Sequence, residues 1–191
     1  MKHTNIIKAV KIIKKYSKGA YVNFITAKNT ENEVVYISNG HLLLTLPIWI
    51  YEDIREGLKL PAVDSIKEDE KLFTKLLKDT QTKDRRVADI TSICVDVNKD
   101  NTTFARVFST TDKEYNPAFV MIASHYYELF RLLNITGITA DPEKPQKNEI
   151  YGEHNTIDKL SLLVLPINQG KPIEDTINSI FPQTVIFKAA V

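Results

Sequence analysis

The sequence predicts an α+β protein in which helices pack on antiparallel sheets. Apolar residues recur at helical spacing over residues 4–17 and again over 124–133, which predicts one amphipathic helix in each stretch. Elsewhere, short apolar runs are separated by polar turns, a pattern typical of antiparallel strands. The dipeptide Asn39-Gly40 between two such runs predicts a β-hairpin with a type I′ turn. These observations indicate a single domain over residues 1–191.

The first helix is predicted from Thr4 to Ser17. Thr4 or Asn5 can cap its N-terminus, and Gly19 can end it. Its apolar face consists of Ile6, Ala9, Val10, Ile13 and Tyr16. About a quarter of the circumference on the opposite side is basic; its residues are Lys8, Lys11, Lys15 and Lys18, adjoined by Lys14. One side is therefore suited to packing, and the other faces either water or an anion such as a phosphate.

The hairpin follows a predicted strand over residues 21–27 and a polar turn over 28–32. Its two strands are predicted at 34–38 and 41–46, and Pro47 ends the second because proline cannot donate to a sheet ladder. Both strands are strongly apolar, so we expect the hairpin to be buried.

The central part of the chain changes character. Residues 51–86 are highly charged and are interrupted by Pro61, which predicts a helical insertion or connector with an amphipathic pattern over 66–77. Polar turns and loops separate three further predicted strands, which are residues 87–97, 103–109 and 118–122.

The second helix is predicted from Ser124, as its N-cap, to Leu133. Its apolar positions follow the i, i+3, i+4, i+7 template and are Tyr126, Leu129, Phe130 and Leu133. Its mixed face carries His125, Glu128 and Arg131. Three strands are predicted after it, at residues 135–140, 149–153 and 160–167. In the C-terminal tail, residues 171–191, we predict a short helix at 173–180 and a strand at 184–188.

Composition gives few hints about function. The whole chain carries a net charge of +1, but residues 1–20 hold six lysines and no acid, so the rest of the chain carries −5. Cys94 is the single cysteine, which excludes an intramolecular disulfide and fits a reducing compartment. Lysines interrupt the N-terminal apolar residues, and the longest apolar runs are too short to span a bilayer. We therefore expect a cytoplasmic protein with no membrane partner.

No motif for catalysis is recognisable. The four histidines are scattered without the spacing that would place two metal ligands on one helix face, and no glycine-rich phosphate loop or nucleophile elbow occurs. Acidic clusters such as residues 68–70, and Asp84 near Arg85, lie in charged connectors and are expected to be solvated. The adjacent Glu153 and His154 would face opposite sides of a strand. We expect no catalytic residue, no metal and no cofactor, hence a protein that is not an enzyme.

The two ends of the sequence share a plan, because each predicted helix is followed by three predicted strands. Two local segments also stand out: YISNGHLLLTL at residues 36–46, and LSLLVLPIN at residues 160–168, an apolar strand ending in a proline. This plan, a strand–helix–three-strand unit used twice, resembles one domain of the DNA sliding clamps, the processivity factors of replicative polymerases. The resemblance covers most of the chain apart from residues 51–86 and the tail after Gly170.

The chain departs from the clamp pattern in several ways. Ser38-Asn39 and Leu42 stand where clamps often have Thr-Asp and Arg, although Gly40 and His41 are kept. Clamps are rings of six such domains, whereas this chain has room for one, so the resemblance implies a homo-oligomer or a monomer with another role. Clamps also present basic residues from both helices to DNA, and here the second helix offers Arg131 and His125 against Glu128.

The resemblance and the basic helix together predict a non-enzymatic, clamp-like protein with a role of the replication or processivity type. Its partner would be duplex DNA, bound without sequence preference, or a protein that handles DNA. The expected phosphate contacts are Lys8, Lys11, Lys14, Lys15, Lys18 and Arg131. One alternative is a small phage or bacterial module that inhibits another protein by binding it, and another is an uncharacterised hydrolase. The expected location is the cytoplasm of a bacterium or of a phage-infected host.

Overall fold

The computed structural model describes residues 3–17, 24–68, 80, 84–96, 104–145 and 148–167, with the backbone alone for 91–96, 104 and 105. The described part is α+β, as predicted, with antiparallel sheets. Its three α-helices are α1 (Thr4–Lys15), α2 (Ile48–Leu58) and α3 (Ser124–Leu132). The strands before α2 are β1 (Ile25–Asn29), β2 (Val34–Ser38) and β3 (Leu42–Pro47). The strands between α2 and α3 are β4 (Arg86–Val87), β5 (Asp89–Asp96), β6 (Phe104–Thr111) and β7 (Pro117–Ala123). Those after α3 are β8 (Ile135–Ala140), β9 (Ile150–His154) and β10 (Ser161–Val164).

The larger sheet has the strand order β1-β2-β3-β10-β9-β8-β4, and every pair in it is antiparallel. The order is symmetrical, because the three strands after α1 meet the three strands after α3 at the β3–β10 pair, where Leu44 lies opposite Leu162. β5, β6 and β7 form a second antiparallel sheet in that order. The two groups of one helix and three strands that the sequence predicts are therefore present.

The core lies between the larger sheet, the three helices and part of the smaller sheet. Residues alternate along β3, so that Leu42, Leu44 and Leu46 join this core, while Leu43 lies in a smaller apolar cluster on the opposite face. The helical contributions from α1 are Ile6, Ala9, Val10 and Ile13; those from α2 are Ile50, Tyr51, Ile54 and Leu58; those from α3 are Tyr126, Leu129 and Phe130. Every helix thus buries one apolar face.

The hairpin of β2 and β3 is confirmed and buried, but the predicted turn type is wrong. The register pairs Ser38 with Leu43, which places Gly40 and His41 at the centre of the turn. Among the turn residues only Gly40 has a positive φ, +82°, whereas a type I′ turn needs two. Positive φ at the first central position is the property of a type II′ turn. Asn39 instead closes the turn, with its Oδ1 accepting from the His41 N–H at 3.1 Å.

The predicted N-caps of α1 and α3 are also wrong. α1 begins at Thr4 with His3 as its N-cap, and the His3 carbonyl accepts from the Ile7 N–H at 2.9 Å. α3 begins at Ser124 directly after β7, with the extended residue Ala123 as its N-cap. Neither helix has a side-chain cap hydrogen bond. α1 ends at Lys15, before the predicted Ser17, and Gly19 lies outside the described residues.

In the charged segment after Pro47, the described residues are helical over Ile48–Leu58 and at Thr80 and not helical over 66–68. Pro47 ends β3 and is the N-cap of α2, whose inner face enters the core. A short 3-10 helix at Val63–Ser65 follows, and Glu68 forms a parallel bridge with Lys28. The predicted helical pattern over 66–77 is therefore wrong for residues 66–68, because these are used in a turn and a bridge. Residues 69–79 and 81–83 lie outside the described part.

Several strand bounds differ from the sequence predictions, and the strand predicted at 160–167 is the shorter Ser161–Val164. The strand predicted at 87–97 is divided at Ala88, because β4 pairs with β8 in the larger sheet and β5 pairs with β6 in the smaller one. β6 continues to Thr111, through residues predicted to be a loop, because Thr110 and Thr111 still pair with β7. β1 extends to Asn29. The helix and strand predicted in the C-terminal tail lie outside the described residues.

The three helices differ from membrane-spanning segments. Within the ranges that the structure describes, none of the helices combines the length and the apolar character needed to cross a bilayer.

Candidate nucleic-acid interface

The outer side of α1 presents three lysines to solvent. Lys8, Lys11 and Lys15, named here the lysine face, are all exposed, whereas the inner side of the same helix is buried in the core. At about 1.5 Å per residue they span about 10.5 Å along the helix axis. α1 contains no acidic residue, so no carboxylate of its own neutralises this face. The predicted basic side of the helix is therefore free to meet an anion.

Lys14 is placed differently from these three. Its side chain is half-buried, and its Nζ donates to the Leu58 carbonyl at 2.8 Å and lies 5.3 Å from the centre of the Phe24 ring. Leu58 is the last residue of α2, where carbonyl groups lack helical partners and a positive charge is favourable. Lys14 thus joins α1 to the C-terminal end of α2 and is not part of the exposed lysine face.

The other two predicted phosphate contacts do not extend the lysine face. Lys18 lies outside the described residues. On α3, the Arg131 guanidinium lies 3.3 Å from the Glu128 carboxylate, and both side chains are exposed. Because the charges of this pair cancel, α3 adds little positive potential there.

An aromatic stack connects the C-terminal end of α1 to the start of α3. The rings of Tyr16 and His125 are parallel within 15° and their centres are 3.8 Å apart. Burial lowers the pKa of His125 from 6.5 to about 4, with smaller contributions in the same direction from the nearby His41 and Lys15. His125 is therefore neutral at pH 7 and does not add to the positive charge of the lysine face.

The hairpin turn is fixed to the same part of α3. The Asn39 side-chain amide donates to the Tyr126 hydroxyl at 2.9 Å, and both residues are buried. Burial raises the pKa of the Tyr126 hydroxyl, which remains protonated at neutral pH. Together, α1, the hairpin turn and α3 form one rigid support for the lysine face.

A buried ion pair between Arg85 and Glu149 was missed by the sequence analysis. The Arg85 guanidinium lies 3.0 Å from the Glu149 carboxylate, and the two side chains are 7% and 10% exposed. The guanidinium also donates to the Thr139 hydroxyl at 2.9 Å and to the carbonyls of Thr139 and Glu149 at 3.0 and 2.8 Å. Asp84 is exposed, as the sequence predicts for the acids of this connector, whereas its neighbour Arg85 is buried.

A groove of about 680 Å³ lies beside this pair, next to the irregular part of β8. Its most reactive residue types are Glu153 and His154, but each is engaged elsewhere. The Glu153 carboxylate accepts from the Tyr151 hydroxyl at 2.6 Å, and His154 Nδ1 accepts from the backbone N–H groups of Thr156 and Ile157 at 3.0 Å each. Among the described residues of the groove, these two side chains do not form an acid–base pair with one another.

Potential metal ligands are dispersed in the structure. Across the described ranges, no three residues of the types His, Cys, Asp and Glu come together in a way that could hold a metal ion. The lysine face is therefore the feature of the described structure that best matches a predicted site.

Comparison of this chain with protein-family models, with curated proteins and with solved structures finds no match. The likeness to sliding clamps thus stays a prediction from sequence.

Proposed function

We propose that this protein is a non-enzymatic, clamp-like protein that binds the backbone of duplex DNA through the lysine face of α1. The observation that carries the proposal is the exposure of Lys8, Lys11 and Lys15 on a helix that has no acidic residue and whose other side is anchored in the core. Lysine ammonium groups bind phosphates as point charges and do not need a particular base sequence.

The binding mechanism is electrostatic. Lysines that neutralise phosphates release the counterions condensed on DNA, and this release favours binding at low salt. The three lysines span about 10.5 Å, which corresponds to about three phosphates of one strand at 3.4 Å each, measured along the duplex axis. Lys14 and the Tyr16–His125 stack hold α1 in place, so the cost of ordering on DNA binding falls mainly on the lysine side chains and not on the backbone of the helix.

Two features support a clamp-like arrangement. The larger sheet is built from two symmetrical sets of three strands, each preceded by a helix, and the helices α1 and α3 pack against each other. This agrees with a repeated helix-plus-three-strand unit. A ring around DNA would require several copies of this chain, so the clamp-like proposal includes a homo-oligomer.

The direct test compares charge reversals at two places on the surface. The variant Lys8→Glu, Lys11→Glu, Lys15→Glu should lose most of its affinity for a fluorescent duplex of about 20 base pairs at about 50 mM salt, measured by anisotropy. The matched control is Lys67→Glu, Lys113→Glu, Lys144→Glu, which changes the net charge equally at exposed lysines outside α1.

The control variant should bind like the wild type. Equal weakening by both variants would mean that net charge, and not the lysine face, determines binding. Sedimentation of the wild type with and without the duplex tests the homo-oligomer, because a ring predicts a closed oligomer that takes up DNA.

A further inference from the structure

The outer side of α2 combines an exposed tryptophan with three carboxylates. Trp49, Glu52, Asp53 and Glu56, named here the Trp49 face, follow the spacing i, i+3, i+4, i+7 and occupy about 100° of the helix circumference. Trp49 is 54% exposed, which is unusual for so large an apolar side chain. The opposite side of α2 is buried in the core, so the Trp49 face is presented on a fixed helix.

The side chain of His3 packs against one side of Trp49. The buried ring of His3 meets the Trp49 ring edge-on, with ring centres 5.5 Å apart and planes at 62°. His3 Nε2 also lies 3.2 Å from Asp53 Oδ2, so a single buried residue contacts both Trp49 and Asp53. The indole is therefore supported on one side and open to solvent on the other, as an anchor for a partner would be.

Among the described residues, the Trp49 face has more carboxylates than arginine or lysine partners. In the described part of the chain, Arg55 is the one arginine or lysine that pairs with these carboxylates, contacting Glu52 and lying 3.7 Å from Glu56. The Glu56 side chain is 84% exposed and that of Asp53 55%. One guanidinium against three carboxylates leaves α2 with a net charge of −2, opposite in sign to α1.

We propose that the Trp49 face is a docking surface for an arginine- and lysine-rich helical segment of a partner protein. Charge complementarity selects this occupant, because the indole attracts a cation over its ring and the carboxylates accept from guanidinium groups. Duplex DNA is disfavoured at this face, since phosphates and carboxylates repel. The surface is separate from the lysine face and would provide a protein-binding role in addition to the proposed DNA binding.

Trp49 is the single tryptophan of the chain, so its fluorescence reports on this face directly. The probe is a synthetic amphipathic helix of about 18 residues made of leucine and arginine, and the control peptide has glutamate in place of arginine. The arginine peptide should change the tryptophan emission saturably, and the glutamate peptide should leave it unchanged. Identical responses to both peptides would overturn the proposal.

Affinities for variants are measured by anisotropy of the labelled arginine peptide. Trp49→Ala should weaken binding about tenfold or more, as expected for a central anchor. Asp53→Asn with Glu56→Gln should also weaken it about tenfold, whereas the matched control Glu143→Gln with Asp158→Asn should not. If the control pair weakens binding as much, the face is not specific.

Two further measurements distinguish a basic partner segment from DNA and from a second copy of the chain. The lysine-face variant should bind the arginine peptide like the wild type, so failure of DNA binding would leave this proposal standing. Sedimentation without peptide tests a second copy as the occupant. If the protein self-associates and Trp49→Ala abolishes this self-association, the occupant of the Trp49 face is a basic surface of a second copy and not a partner segment.

Discussion

The helices α1 and α2 have similar buried faces, but their exposed faces carry opposite charges. They have 12 and 11 residues, and both bury one apolar face in the same core. The outer side of α1 is basic, with four lysines in the helix and no acid, whereas α2 carries three acids and one arginine. The core requires only the inner faces, so the outer faces can differ freely, and we assign a different partner to each.

Polar contacts at both ends of α1 also join the two helices. Lys14 of α1 reaches the last carbonyl of α2, and His3, the N-cap of α1, reaches Asp53 of α2. Lys14 and Asp53 therefore already make contacts within the molecule. Lys14 is thus not available to a partner, whereas Asp53 is still 55% exposed and remains part of the Trp49 face.

The largest expected change is in the free energy of unfolding, and it tests whether the inner faces of α1 and α2 are both buried in the core. Ile13→Ala in α1 and Ile54→Ala in α2 should each lower the free energy of unfolding by about 2–5 kcal/mol, because both side chains are buried and their truncation leaves a cavity. Phe130→Ala in α3 should cost about 3–5 kcal/mol for the same reason. Urea unfolding measures these changes. The exposed Ile25→Ala is the control, and an equally large loss there would contradict the assignment of the core.

A pair of glycine substitutions compares the hairpin turn with α2. Gly40→Val should lower the free energy of unfolding by about 1–3 kcal/mol, because its φ of +82° is unfavourable for a β-branched residue. Gly57→Ala in α2 should raise it by about 0.5–1 kcal/mol, since alanine favours a helix and an added Cβ there meets nothing within 4 Å. Thermal unfolding should show a lower melting temperature for Gly40→Val and a higher one for Gly57→Ala than for the wild type. An unchanged melting temperature for Gly40→Val would contradict the turn conformation assigned to Gly40.

Substitution of Lys14 tests whether this lysine stabilises the fold while the residues of the lysine face bind DNA. Lys14→Met should lower the free energy of unfolding by about 0.5–1.5 kcal/mol, because it removes the hydrogen bond to the Leu58 carbonyl. Its DNA affinity should stay near that of the wild type. Lys11→Met, the matched change on the lysine face, should have the reverse pattern. If Lys14→Met weakens DNA binding as much as Lys11→Met does, the division between these lysines is wrong.

A smaller effect concerns pH. The pKa of His125 is about 4 in the folded protein and ordinarily 6.5, so between these values the unfolded chain binds a proton that the folded protein does not. This residue should therefore lower the free energy of unfolding as pH falls from about 6.5 to about 4. Solvent screening limits the change to about 1 kcal/mol. His125→Phe should lose less stability than the wild type over this range in pH-dependent urea unfolding, and parallel curves would contradict the depressed pKa.

The elements that could be predicted from sequence are those determined by local periodicity. The apolar spacing of α1 and α3 and the two apolar runs of the hairpin predict both the elements and their buried faces, except that Tyr16, predicted on the apolar face of the first helix, follows α1 and is 39% exposed. The same spacing correctly places Lys8, Lys11 and Lys15 on the exposed side of α1.

What sequence analysis missed depends on contacts between distant residues. Lys14 finds the Leu58 carbonyl 44 residues away, and Arg85 finds Glu149 64 residues away, and nothing in the local pattern of either residue indicates its partner. The turn type depends on the register of the whole hairpin, which the dipeptide Asn39-Gly40 alone does not determine. Because residues 51–86 are highly charged, the apolar face that α2 buries in the core was not predicted from the sequence.

The most direct test of the DNA-binding claim is the salt dependence of duplex binding by the wild type. Three phosphate contacts at about −0.9 each predict that log K falls against log salt concentration with a slope of about −3 for each copy of the chain that contacts the duplex. The variant Lys11→Met should reduce the slope by about one unit per contacting copy. Binding that does not change with salt, or no binding even at about 50 mM salt, would contradict the claim and leave the lysine face as an ordinary solvated surface.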